Sequence, residues 1–287
     1  MNSIKEESIE NDALESLEKQ GYQVIKSEVY NHTSKIIDAE RNNDHTKFIL
    51  EPRLSKVLKE LNPGYSDDIY RRALHEFSKL ADNPDMMINN HYMHKLLIEG
   101  VKIKTSENGE NKTVTLHVID FDNWENNDFL ATNQFEIVQG EKSRRTDITV
   151  FVNGLPLITF ELKKPDNENI TVKEAYEQLQ TYKAEIPDYM KYNEILIASD
   201  GVNARAGSLT AGFDRFMRWR QPKNELVPEG SLELDILIEY MLKPKTLLNI
   251  IQNFIIFETN GDSTVKILTA YHNTIWLIKQ LLLLNVL

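Results

Sequence analysis

The chain reads as a mixed α/β protein, of α/β or α+β type, with a mixed central β-sheet flanked by helices. Three observations carry this reading. Apolar positions recur at helical spacing near the N-terminus, the period changes to two beyond Gly100, and helical spacing returns at Thr171 before a short apolar run. A helix, a series of strands, another helix and a closing strand is the order expected of a sheet covered by helices. A length of 287 residues allows one large domain or two small ones with a substantial core.

Residues 4–20 form the first helix, because Ile4, Ile9, Ala13, Leu14 and Leu17 make one apolar stripe and Gly21 is placed to end it. Tyr22 to Tyr30 is read as a strand. From 51 to 100 the spacing predicts a helical insertion in short pieces. Leu54, Val57, Leu58 and Leu61 share a face, Asn62-Pro63-Gly64 breaks it, and helices over Ile69–Leu80 and Met86–Glu99 follow. Val101–Thr105 and Val114–Ile119 then alternate on either side of a turn at Glu107-Asn108-Gly109-Glu110. Phe135–Val138, Asp147–Val152 and Leu157–Leu162 continue the strand series. Thr171–Lys183 is helical and Glu194–Ser199 a short buried strand. Phe213, Phe216 and Trp219 have the spacing of an amphipathic helix face in a locally basic segment, which favours a docking surface. From Leu232 the chain is helical again, with many Leu and Ile between Tyr240 and Phe257. The last segment, TIWLIKQLLLLNVL, is too short to span a bilayer and reads as a core helix cut off from its partner.

Composition narrows the function. The chain has no cysteine, which excludes disulfides and thiolate metal sites. Its first residues are acidic and lack the apolar stretch of a signal peptide, so a cytoplasmic location is expected. With 44 acidic against 33 basic side chains the net charge is −11, whereas a protein that holds DNA unaided usually carries a basic surface. His91 and His94 have ligand spacing but no adjacent third ligand, and read as ordinary helix histidines. Gly201, Gly207 and Gly212 do not make a nucleotide-binding fingerprint, and there is no nucleophile–histidine arrangement.

The chemistry concentrates in RRTDITVFVNGLPLITFELKK, residues 144–164. Glu161 and Lys163 are two apart on a strand and leave the same face, while Ile158, Phe160 and Leu162 point into the core. Asp147 joins them only in one register. A two-residue Asn153-Gly154 loop puts Asp147 opposite Phe160, on the wrong face. A three-residue loop through Leu155, or a bulge, puts it opposite Glu161. Two carboxylates that close raise each other's proton affinity unless a cation lies between them. Mg²⁺ suits such a place, with Asp147, Glu161 and the Leu162 carbonyl as ligands. It would polarise a phosphoryl oxygen and acidify a bound water, with Lys163 orienting that water or stabilising charge. Arg144, Arg145 and Lys164 could meet backbone phosphate, or be solvated strand ends.

These residues resemble the PD-(D/E)xK nuclease domain of the type I restriction endonuclease R subunit. The likeness runs through Asn127-Asp128-Phe129-Leu130, Arg145-Thr146-Asp147, VFVNGLPLITFELK, Gln178-Leu179-Gln180-Thr181-Tyr182 and ILIASDGVNARAGSL, and spans most of residues 1–260. It implies that Asp147 and Glu161 are metal ligands, Lys163 the catalytic lysine, and Gln178 and Tyr182 an accessory motif near the scissile strand. Glu10 would match an acidic residue bordering the metal site. The intact family protein carries an ATP-dependent DNA translocase after the nuclease. No GxxxxGK[ST] phosphate loop occurs here, so ATP hydrolysis is not expected of this chain. VKILTAYHN looks like the approach to the motor, and the TIWLIKQLLLLNVL stretch after it does not look like its continuation. We therefore expect a nuclease domain over 1–260 and an altered or truncated motor approach over 261–287. The resemblance also implies methylation and specificity subunits as partners that present the DNA. The rival is a non-catalytic module that docks a translocase on its partners.

Overall fold

Among the described residues the alternating segments resolve into one six-stranded mixed sheet and two separate hairpins. The computed structural model describes residues 6–79, 84–107, 110–165, 171–220, 230–261 and 263–269. The chain begins with α1 (Glu6–Lys19), β1 (Gln23–Ile25) and α2 (Lys35–Glu40). The insertion is three helices, α3 (Glu51–Leu61), α4 (Asp67–Ser78) and α5 (Met86–Glu99), followed by β2 (Val101–Glu107) and β3 (Glu110–Leu116). Next come β4 (Phe129–Gln139), β5 (Lys142–Val152) and β6 (Leu155–Leu162), then α6 (Thr171–Glu185) and α7 (Pro187–Met190). The chain goes on through β7 (Ile195–Ser199), β8 (Ala204–Gly207), α8 (Glu233–Met241), α9 (Pro244–Asn253), β9 (Ile255–Asn260) and β10 (Ser263–Leu268).

The main sheet has the order β1-β4-β5-β6-β7-β8. Strands β1 and β4, and β6 and β7, are parallel; the other neighbours are antiparallel. On one face Ile148, Val150, Ile158, Phe160 and Leu162 meet Ile9, Ala13, Leu14 and Leu17 of α1 and Leu237, Ile238 and Met241 of α8. On the other, Leu130, Phe151, Leu196 and Ala198 meet Val172, Ala175, Leu179 and Tyr182 of α6. Each face thus buries its own apolar set against helices, as strands covered on both sides require. Helix α1 ends where its stripe ends: the Tyr22 N–H returns to the Leu17 carbonyl at 3.3 Å and Gly21 takes φ +98°. No described helix is long and apolar enough to cross a membrane.

Four sequence expectations change. The strand expected over Tyr22–Tyr30 is only three residues long, because its pairing with β4 stops at Ile25↔Thr132. The strands flanking residues 108 and 109 form their own hairpin, β2–β3, outside the central sheet. That turn's tip lies outside the described residues. Phe213–Arg215 is a single 3-10 turn rather than part of an amphipathic helix, and Phe216 and Trp219 are buried within the fold. The helical reading from Leu232 breaks at Lys243-Pro244, since proline can start a helix but not continue one, and Ile255–Asn260 is a strand. The segment 274–287 lies outside the described residues.

Candidate active site

The hairpin between β5 and β6 decides the site. Asn153 at φ +54° and Gly154 at φ +78° form a two-residue turn of type I′, in which both central residues need the left-handed region. Pairing starts with Val152↔Leu155 and Phe151↔Pro156, then shifts, so that Val150 faces Ile158 and Leu157 is an extra residue. Beyond this bulge Thr149 faces Thr159 and Ile148 faces Phe160, and continuing one step sets Asp147 opposite Glu161. The loop is therefore the short one, and the bulge supplies the register that brings both carboxylates to one face. Behind them the Tyr189 hydroxyl lies 3.0 Å from Thr149 Oγ1 and 2.9 Å from Thr159 Oγ1, fastening the two strands together.

Asp147 Oδ2 accepts the Leu162 N–H at 2.5 Å, which ties the aspartate to the strand that carries Glu161. Glu161 is almost fully buried; its Oε1 accepts from Lys163 Nζ, and its Oε2 lies 2.8 Å from the Tyr182 hydroxyl. That hydroxyl is also 2.6 Å from the Arg145 carbonyl, and Gln178, one turn earlier on α6, donates to it. A phenol has one proton for two acceptors, so Tyr182 can serve Glu161 when that carboxylate is ionised and Arg145 when it is not. Tyr182 thus holds Glu161 while also lining the cleft beside Asp147.

Burial pushes the Asp147 carboxyl well above the usual range, and the Glu161 charge pushes it further. Burial also raises Glu161, against the pull of Lys163. For Lys163 burial works against the ammonium, but the Glu161 carboxylate outweighs it and the pKa rises. Lys163 accordingly stays protonated and can donate but not abstract a proton. Burial lifts the Tyr182 phenol well above its ordinary value.

Glu10, on α1, has no exposed surface and is held by two amides: Asn133 Nδ2 donates to Oε2 at 3.1 Å and Gln134 Nε2 to Oε1 at 2.9 Å. Burial raises its pKa to about 6. A cleft of about 310 Å³ opens beside Asp147 and is lined also by Tyr30, Gln134, Arg144, Arg145, Gln178 and Tyr182. Arg144 is engaged with Glu185, Arg145 is half-buried, and Lys164 is exposed just past the end of β6.

Among the described residues no three acidic or histidine side chains converge as a metal-binding group. Asp147 and Glu161 give two carboxylates. The Leu162 carbonyl leaves the same strand edge as the N–H that meets Asp147. This all-oxygen set, short of a full cage, fits Mg²⁺, which usually keeps several waters. Sequence reasoning did not single out Asn133, Gln134 or Tyr30, because nothing in an alternating strand marks an amide pair that reaches back to the first helix.

Residues 3–215 match the family model described as the type I restriction enzyme R protein N terminus. The chain is 37% identical, over 80% of its length and 22% of the relative's, to the type I restriction enzyme HindI endonuclease subunit of Haemophilus influenzae. It is 31% identical, over 92% of its length and 26% of the relative's, to a type I restriction enzyme endonuclease subunit, MjaIXP, of Methanocaldococcus jannaschii. It is 24% identical to the EcoprrI endonuclease subunit of Escherichia coli, over 96% of the chain and 82% of that protein. It spans about a quarter of the length of the first two relatives. With three quarters of its residues inside that match and a mixed sheet consistent with a PD-(D/E)xK core, the chain belongs to the family of type I restriction enzyme R protein N-terminal domains.

Proposed function

We propose that this chain is the DNA-cleavage part of a type I restriction R subunit and hydrolyses phosphodiester bonds with a divalent cation, Mg²⁺ by donor chemistry. The observation that carries the reading is the bulged hairpin that puts Asp147 and Glu161 on one face, with Lys163 and Tyr182 bonded to Glu161. Burial and the nearby Glu161 charge raise the proton affinity of Asp147, which costs stability unless a cation neutralises the pair, and a cleft lies open beside Asp147. Asp147, Glu161 and the Leu162 carbonyl would hold that cation, which supplies a polarised phosphoryl oxygen and an acidified water.

The chain's own residues do the rest. Lys163, kept protonated by Glu161, donates to the attacking water or to charge building on the phosphoryl oxygens. Tyr182, oriented by Gln178, fixes the Glu161 carboxylate, as a group behind a metal ligand does. Arg145 and Lys164 are the proposed contacts to backbone phosphate; Arg144 must first leave Glu185. A net charge of −11 makes unaided DNA binding weak, so methylation and specificity subunits are the proposed source of affinity and target choice.

Calorimetric titration with Mn²⁺ tests the reading. The chain is expected to bind one ion, and Asp147→Asn or Glu161→Gln to abolish both this binding and plasmid nicking by the assembled complex. A wild-type chain that takes up no ion overturns it in favour of the docking module.

A further inference from the structure

Adjacent residues of a regular strand point to opposite faces of the sheet. Yet Asn133 and Gln134, neighbours in β4, both donate to the carboxylate of Glu10. The backbone explains how. Gln134 takes φ +54°, a left-handed conformation that a non-glycine residue seldom adopts in the middle of a strand. This single turned residue brings the second amide to the side of the first. The register is kept across it: Asn133 faces Ile148 and Phe135 faces Thr146, so Gln134 lies across from Asp147.

The unusual conformation is held from outside. The Thr33 hydroxyl donates to the Gln134 carbonyl at 2.9 Å and accepts the Glu136 N–H at 2.8 Å, clamping the backbone on both sides of the turn. The buried Arg41 then donates to the Glu136 carbonyl at 2.5 Å. Asn133 is fixed as well, because its Oδ1 accepts the Ser27 N–H at 2.8 Å and its Nδ2 must therefore face Glu10. Strain that the surroundings over-determine in this way is a mark of a functional position.

We propose that Asn133 and Gln134 are positioning residues, whose paired amides hold the Glu10 carboxylate beside the cation site of Asp147 and Glu161. The assignment rests on the metal-dependent reading above. Since no three carboxylates converge directly among the described residues, Glu10, which is fully buried and capped by the two amides, belongs to the outer layer of that site and acts on the ion through its charge. Gln134 lines the cleft together with Asp147.

The test is Mn²⁺ affinity of the full chain by calorimetry, alongside thermal unfolding. Gln134→Gly keeps the left-handed backbone without strain and removes the side chain that carries the amide. It is expected to weaken Mn²⁺ binding about 10- to 100-fold while the chain still unfolds cooperatively. Glu10→Gln should cost a similar factor, and the double variant should be no worse than Glu10→Gln alone, because Gln134 acts through Glu10. Gln134→Asn, which retains an amide and tolerates the conformation, should recover part of the affinity. Wild-type affinity in Gln134→Gly, or losses that multiply in the double variant, would overturn the positioning role. Undiminished Mn²⁺ binding by Asp147→Asn overturns the metal reading itself and is a separate result.

Discussion

Three carboxylates at the site, Asp147, Glu161 and Glu10, hold protons more tightly in the folded chain than in the unfolded one. Between the unfolded and folded values the native state binds more protons, so stability falls as pH rises through the folded pKa, for Glu10 through about 6. A bound cation reverses the balance, because it favours the ionised forms. Melting of the chelated chain should therefore drop as pH rises from about 4.5 through about 6, and added Mg²⁺ should raise it most at the alkaline end. The difference between wild type and Asp147→Asn isolates the site from other titrating groups. An equal Mg²⁺ increment at every pH would contradict this account. At this scale the sequence was informative for Glu161 and Lys163 and for the Gln178–Tyr182 pair, whose spacing on a strand or helix puts them on common faces, whereas it left the face of Asp147 to the loop length or a bulge. It was silent on Gln134, because no residue pattern signals a left-handed glutamine that tertiary bonds enforce.

At the scale of elements, the hairpin turn carries the register. A Cβ added to Gly154 would lie 2.5 Å from the Leu50 carbonyl oxygen, at a φ of +78°. Gly154→Ala should cost roughly 1–2 kcal/mol for the left-handed backbone and more for the collision. Thermal unfolding gives the measure, with Gly140→Ala, a left-handed turn glycine with open space around it, as the comparison. Equal losses would mean that the approach to Leu50 is unimportant. The Asn-Gly pair announced this turn in the sequence, but Leu157 did not announce the bulge. A bulge is settled by how both neighbouring strands pack, and the residue itself looks like any other in an apolar run. The helices of the insertion and α6 were legible because each has one apolar stripe. Leu232–Phe257 was misjudged in part because Ile and Leu in a short run suit a buried helix and a strand equally, and only Pro244 marked the break.

Across the whole molecule, one buried ion pair joins distant parts of the chain. Lys266 of β10 reaches Glu194, just before β7, at 2.9 Å and the Asn193 carbonyl at 2.8 Å, and both charged side chains are fully buried. His94 of α5 contacts the same Glu194 oxygen at 3.0 Å. Lys266→Met leaves a buried carboxylate without its main partner and should cost about 3–5 kcal/mol, read by denaturant unfolding. Adding Glu194→Leu to it should recover much of that loss; a double variant as unstable as the single one would mean that Lys266 matters for packing rather than charge. The pair also bears on how the β9–β10 hairpin survives. Two strands alone are marginal in water, and among the described residues this hairpin joins no larger sheet. Its backbone at Lys266 is bonded instead to Ser208 and Thr210, beside β8. Fraying of the hairpin would strip a counter-charge from the foot of β7, two strands from Asp147. Hairpin and central sheet should therefore open as one cooperative unit, with amide hydrogens in both exchanging at a common rate.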